Sequence, residues 1–379
     1  MKEIRTAIIG VGNCASSLVQ GRFYYADPEA AIPGLITQNF GGYHPHHIHY
    51  VAAFDVDARK VGLDLSQAIF APPNCTTVFQ REIPHQDCPV QMGYIVDSIA
   101  PHNEQYSEAQ RFKPLENLYV DEREAKVAIV DALREAQVDV AINYLPVGSE
   151  ENAIFYADCA IEAGCALVNA MPVFLSKFYG GRFRQAGLPI LGDDIKSQVG
   201  ATIIHRVLTR LFEDRGQPVK RTYQLNVGGN TDFLNMLDRN RLMSKKISKT
   251  QSVTSQMGED GIDPQNIYVG PSDYVPWLND RKLCFLRIEA EQFGGVPMDI
   301  EVRLAVEDSP NSAGVITDAV RAAKVALDRN LAGPIIEASA YLFKSPVVQY
   351  EDSAARDMLR QYAVGAEEPL FTAVAHPDN

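Results

Sequence analysis

The sequence predicts an α/β protein in which a doubly wound parallel sheet is interrupted by a smaller α+β domain. Three observations predict it. The chain opens on a buried apolar run that turns through glycines into a helix, TAIIGVGNCASSLVQG. Apolar runs and helical periodicities then alternate to about residue 198, the pattern of parallel strands with covered faces. Past that point the strands lengthen and alternate between apolar and charged positions. The implied division gives residues 1–197 with 311–379 to the parallel domain and 198–310 to the inserted one.

Each element follows from its local chemistry. The second strand, HYVAAFDVD, ends at Asp55, so residues 22–47 form an insertion with its own Pro, Gly and His punctuation. EREAKVAIVDALREA has helical spacing and feeds VDVAINYLP, a strand closed by a Pro-Val-Gly-Ser turn. SEENAIFYADCAIEAG reads as helix, CALVNAMP as strand, a polar helix follows, and LPILGDDI is a further strand. The helix QVGATIIHRVLTRLFEDRG opens the inserted domain. In MDIEVRLAV, Ile300, Val302, Leu304 and Val306 alternate with Glu301 and Arg303, so one sheet face packs while the other is wet or partnered. NSAGVITDAVRAAKVALDRN leads back to the first domain as a helix, and the aperiodic tail EEPLFTAVAHPDN is expected to fray.

Composition narrows the function. At 379 residues, 46% hydrophobic and 22% charged, the chain can build two cores. A formal charge of −13 disfavours a nucleic-acid or anionic-membrane surface. Six cysteines without a CxxC pair fit a reducing compartment, and no apolar stretch approaches the length that spans a bilayer. A cytoplasmic protein is expected, with no nucleic-acid and no membrane partner.

The motifs point to a dinucleotide. In GVGNCA, Gly10 and Gly12 between strand and helix, followed by Asn13 and Cys14, let the backbone wrap a pyrophosphate at a helix N-terminus; Ala15 stands at the third small position. Asp55 is placed to bond ribose hydroxyls, with Asp57 and Asp64 as competing acids. Tyr144–Ser149 lies at a strand's carboxyl end, where open α/β sheets bind ligands. His44, His46, His47 and His49 crowd one stretch without the Cys or carboxylate ligands of a closed metal site, and read as a loop. LGDDIKSQVGAT sets Asp193, Asp194, Lys196 and Ser197 before a helix, and LNVGGNTDFLN holds Asn226, Gly228, Gly229, Asn230 and Asp232 in a polar turn. SKKISKT concentrates Lys245, Lys246 and Lys249 in an acidic chain, which calls for a bound anion. Lys282 and Lys344 occupy two further polar turns.

In this order, GVGNCASSLVQG, AAFDVDARKVG, YLPVGSEE, GDDIKSQVGAT, LNVGGNTDFLNM, SKKISKT, GPSDYVPWLNDRK, EDSPNSAGV and ASAYLFKSP resemble the myo-inositol-1-phosphate synthase family in its bacterial and archaeal short form. The resemblance spans about residues 4–346, and GDDIKS and SKKISK are its specific markers. It implies a Rossmann-type NAD domain interrupted by a catalytic and tetramerisation domain, and an isomerase acting on glucose 6-phosphate as a homotetramer. It places Lys245, Lys249, Lys282 and Lys344 in the active site, with Asp194, Asn226, Asn230 and Asp308 as sugar or lysine partners. Cofactor contacts implied by the resemblance extend to Asp64, Ala136, Tyr156, Ser197, Asp232 and Lys245. A divalent metal is implied too, with unknown ligands, Asp308 and Ser309 being the first residues to test. The alternatives are a conventional NAD-dependent dehydrogenase of the homoserine or sugar-phosphate type and a noncatalytic NAD-binding regulator.

Overall fold

The computed structural model describes residues 2–27, 33–116, 118–238 and 262–365. In chain order the first elements are β1 (Ile4–Ile9), α1 (Asn13–Tyr24), β2 (Ile48–Asp55), α2 (Leu65–Ala68), β3 (Val90–Met92) and α3 (Glu122–Glu135). They continue through β4 (Val140–Asn143), α4 (Glu150–Ala163), β5 (Ala166–Asn169), α5 (Leu175–Phe178), α6 (Gly180–Gln185) and β6 (Pro189–Leu191). An inserted unit follows, with α7 (Ala201–Asp214), β7 (Val219–Gly228), α8 (Thr231–Asn235), β8 (Ile267–Tyr274), β9 (Arg281–Glu291) and β10 (Pro297–Glu307). The chain then returns through α9 (Asp308–Asp328), β11 (Gly333–Pro334), α10 (Ile336–Leu342) and α11 (Asp352–Val364).

The first sheet runs β11-β6-β5-β4-β1-β2-β3, and every pairing in it is parallel. Its strands are short apolar runs because both faces are covered. Along β1, Ile4 and Ile8 enter the core beneath α1, α9 and α10, whereas Ala7 and Ile9 enter the core beneath α3 and α4. The strand order reverses at β1, between β2 and β4, and this opens a crevice at the carboxyl ends of the strands.

The second sheet, β10-β9-β7-β8, packs one face on α7 through Phe212, Leu286, Ile288 and Ala290. On β10 the expected alternation holds, with Ile300, Val302 and Leu304 packed against that core while Glu301 and Arg303 are exposed. The outer face carries Tyr223, Tyr268 and Phe285, all exposed.

Two local expectations change. The single polar helix after β5 is two short helices, α5 and α6. The returning helix begins at Asp308, three residues before the expected boundary, because β10 runs straight into it. The insertion after α1 is pinned by one buried cation: Arg321 of α9 pairs with Asp318 and donates to the carbonyls of Thr37, Gln38 and Tyr43. A fully buried guanidinium is tolerable only when its donors are satisfied in this way.

Candidate active site

A cleft opens at the sheet's switch point and reaches the inserted unit. Its floor is the glycine turn. Gly10 has φ +93°, and a Cβ there would sit 2.8 Å from the Tyr144 carbonyl oxygen, so β1 and β4 close together only over a glycine. At Gly12, which caps α1, a Cβ would meet nothing within 4 Å. That open space in front of a 12-residue helix is a cradle for a pyrophosphate, and the residues present fit NAD.

The turn is held from behind. Asp55 Oδ2 accepts the Val11 N–H at 2.8 Å, and its Oδ1 accepts the Val56 and Asp57 N–H groups. Lys60, wholly buried, donates to the Val11 carbonyl at 2.7 Å and to Asn74 Oδ1 at 2.9 Å; burial pushes its ammonium below the ordinary lysine range. Asn13 Oδ1 accepts the Cys75 N–H at 2.7 Å, tying α1 to the loop after α2. Burial, then the charge of Asp280, pushes the Cys14 thiol up to about 12, so it is not a nucleophile at neutral pH.

Two of the four singled-out lysines line this cleft. Lys344 Nζ donates to Asp194 Oδ1 at 2.8 Å, and the same two residues are joined by a backbone bond, Lys344 N–H to the Asp194 carbonyl at 2.7 Å. Asp194 adopts φ +59°, a left-handed conformation that aspartate tolerates better than most residues. Behind it a ladder of buried amides joins the strand ends: Asn143 Nδ2 donates to Asn169 Oδ1, and Asn169 Nδ2 donates to Asp193 Oδ1 at 2.7 Å. Lys282 Nζ lies 3.2 Å from Asp308 Oδ1. Burial disfavours the Lys282 charge, but the charge and hydrogen bond of Asp308, with Asp232 and Cys284, together outweigh it and hold the ammonium above its usual range. Lys282 is therefore a fixed positive charge. Lys245 and Lys249, with Lys246, lie outside the described residues.

Asn230 caps α8 by accepting the Asp232 and Phe233 N–H groups, and its Nδ2 donates to Asp280 Oδ1 at 3.0 Å. Asp280 is the residue that sequence reasoning missed. Its carboxylate, 1% exposed, also accepts the Thr76 hydroxyl, the Ser309 N–H and the Ser309 hydroxyl. It thus ties both units together at the cleft wall. The available signal was its place two residues before Lys282 at a strand start.

Tyr144 to Val147, Tyr156, Ser197, Asp232 and Ser309 also line the cleft. Asp64, Ala136 and Asn226 do not. Asp64 caps α2, accepting the Ser66, Gln86 and Cys88 N–H groups. The Ala136 carbonyl accepts the Arg5 guanidinium at the start of β1, the end of the sheet away from the glycine turn. Asn226 is buried in β7, its Nδ2 donating to the Gly270 carbonyl at 2.6 Å. Asp57 is occupied by Arg59 at 2.6 Å. His46 and His47 lie in a turn, Pro45–His47, where His44 and His46 stack at 5.4 Å, whereas His49, expected in the same loop, lies in β2 and meets the Arg22 guanidinium at 3.0 Å. Among the described residues no group of three or more His, Cys, Asp or Glu is arranged to hold a metal. Asp308 is engaged by Lys282 and Ser309 by Asp280, which gives a divalent ion no ready donor set there.

Known proteins carry the same architecture. The sequence profile of the family described as Myo-inositol-1-phosphate synthase matches residues 200–309. A protein of Mycolicibacterium smegmatis named inositol-3-phosphate synthase is 54% identical over 370 residues, covering 96% of this chain and 98% of the relative. One of the same name from Corynebacterium glutamicum is 53% identical over 373 residues, covering 96% of this chain and 99% of its own length. For the fold alone, a crystal structure of a myo-inositol-1-phosphate synthase-related protein from Thermotoga maritima superposes with a TM-score of 0.78 at 23% identity, covering 95% of this chain and 98% of that one. With over half its residues shared along nearly its whole length, and with the glycine turn and the lysine–carboxylate pairs meeting in one cleft, the chain belongs to the myo-inositol-1-phosphate synthase family.

Proposed function

We propose that this chain is an inositol-3-phosphate synthase, an isomerase that converts D-glucose 6-phosphate to 1D-myo-inositol 3-phosphate with NAD. The observation that carries the reading is the convergence of Lys282 and Lys344, each paired with a carboxylate, on the cleft floored by Gly10 and Gly12. When bound, NAD supplies a hydride acceptor for C5 of the sugar and returns the hydride at the end.

The chain's own residues handle the charges. Lys344, oriented by Asp194, moves the C5 hydroxyl proton as the ketone forms and is reduced, a task that the family resemblance assigns to Lys245 as well. The ketone acidifies C6, and the C6 enolate closes on the C1 aldehyde. Lys282, kept protonated by Asp308, polarises that carbonyl and takes up the developing alkoxide charge. Lys249 holds the phosphate. Asn230 and Asp232, at the first turn of α8, line the same cleft as the two lysines. A divalent ion rests on family resemblance alone, and no step is assigned to it.

Incubation of the protein with glucose 6-phosphate and NAD is expected to yield an inositol phosphate without net NADH. Stoichiometric NADH with a released keto sugar would instead establish a conventional dehydrogenase. The cytoplasm suits such an enzyme, and among the described residues no helix is long and apolar enough to cross a membrane.

A further inference from the structure

A buried row of polar groups crosses the inserted unit and ends at Asn226. It runs from the Arg287 carbonyl of β9 to the Thr222 hydroxyl (2.8 Å), on to His205 Nε2 (2.8 Å), and from His205 Nδ1 to Gln224 Oε1 (3.4 Å). Gln224 Nε2 then meets Asn226 Oδ1 (3.2 Å), and Asn226 Nδ2 meets the Gly270 carbonyl of β8 (2.6 Å). His205, Thr222, Gln224 and Asn226 are each at most 4% exposed.

Both ends of the row are carbonyls, which only accept. The Gly270 oxygen turns the Asn226 amide so that Nδ2 points to it. That leaves Oδ1 for Gln224 Nε2, and Gln224 Oε1 for the ring. From the other end, the Arg287 oxygen takes the Thr222 proton, so Thr222 accepts from His205, and Nε2 must carry hydrogen. The row therefore has a proton for every contact except one. That contact is Nδ1 to Oε1, and it is also the longest of the five. Filling it requires an imidazolium, which burial opposes: the ring is pushed down to about 4. The groups facing the ring are Thr222 and Gln224 of β7 and the Arg287 carbonyl of β9. Arg206, next to His205 in the chain, is engaged by Asp352, and the side chain of Arg287, whose carbonyl ends the row, is engaged by Glu289 and Glu301.

We propose that His205 is a positioning residue, held as the neutral Nε2–H tautomer at the centre of a row that sets the Asn226 amide, with its Nδ1 facing Gln224 as an open joint. The consequence for turnover rests on the family reading of Asn226 as a lysine partner acting from behind the cleft, which it does not itself line; the tautomer does not.

The test uses full-length enzyme with ¹⁵N-labelled histidine. Long-range ¹⁵N–¹H correlation, with the His205 signal assigned by its loss in His205→Asn, is expected to show a protonated Nε2 and an unprotonated Nδ1 from pH 6 to 8. An Nδ1–H tautomer overturns the proposal. Gln224→Glu puts a carboxylate at the joint and is expected to give a doubly protonated ring at pH 7; an unchanged ring signal overturns the joint. In the same variant, kcat is expected to fall about tenfold while the NAD dissociation constant holds, since misplaced contacts cost rate before cofactor affinity. An unchanged kcat removes the positioning role. If the wild-type enzyme forms no inositol phosphate, the reading of the function fails while the tautomer result still stands.

Discussion

At the scale of single residues, the two glycines of the turn do different work. Gly10→Ala drives a Cβ toward the Tyr144 carbonyl at a positive φ, and a loss of about 1–3 kcal/mol is expected in chemical denaturation. Gly12→Ala meets no protein atom, so stability should hold to within about 1 kcal/mol while NAD affinity, read by calorimetry, drops at least about tenfold. Equal affinity in that variant would remove the pyrophosphate from the turn. Lys282→Ala and Lys344→Ala are each expected to lower kcat by about 10²–10³-fold or more with NAD still bound, because each deletes a cation aimed at developing oxyanion charge. Near-normal turnover in both contradicts the site. Asp280 has a pH signature of its own. Burial, then Asp308, pushes its carboxyl up to about 6 from 3.8. A carboxyl raised on folding contributes stability that is fully present below its unfolded value and is lost as pH rises through about 6. Asp280→Asn should erase that decline in denaturation midpoints across the window, and an unaltered pH slope would count against it.

Among elements, the junction of α7 with α11 is built on a buried charge cluster. Arg206, fully buried on α7, binds Asp352 at the start of α11 through Nε at 2.9 Å and Nη2 at 2.7 Å, and Lys196 stands 3.5 Å from the same carboxylate. Burial, aided by the Arg206 charge, pushes Lys196 down to about 7. Lys196 also belongs to the strand segment that pairs with residues 342–344, so this junction backs the Asp194–Lys344 pair. Arg206→Met leaves the Asp352 carboxylate short of its two-point partner, and a loss of about 3 kcal/mol is expected. Thermal midpoints of the single variant and of Arg206→Met with Asp352→Leu measure it; the double variant should recover part of the loss. These ties were not legible in the sequence, because Arg206 and Asp352 are far apart along the chain and meet only after both units form.

For the whole molecule, the outer face of the second sheet is the expected meeting surface of subunits. Tyr223, Tyr268 and Phe285 stand exposed there beside the ion pairs of Arg287 with Glu289, Asp299 and Glu301. Aromatic residues beside polar groups on an exposed sheet face suit a symmetric interface. Sedimentation of the wild type should give a tetramer, and Phe285→Asp with Tyr268→Asp a smaller species of unchanged NAD affinity. A wild-type monomer at micromolar concentration refutes the assembly.

By itself the sequence determined the parallel sheet, the glycine turn, the long helices and the alternating strand β10, because each depends on periodicity or turn chemistry within one local stretch. It also determined which lysines to suspect, through ordered motifs. Tertiary structure decided which of those residues meet. The family resemblance implied Asp64 and Ala136 as cofactor contacts, yet Asp64 spends its oxygens on a helix cap and the Ala136 carbonyl meets Arg5 near the start of β1, away from the glycine turn. Asp280 looked ordinary until folding surrounded it with donors from Thr76, Asn230 and Ser309. A carboxylate's role depends on how many donors reach it and how much water is excluded, and both are properties of packing between distant segments.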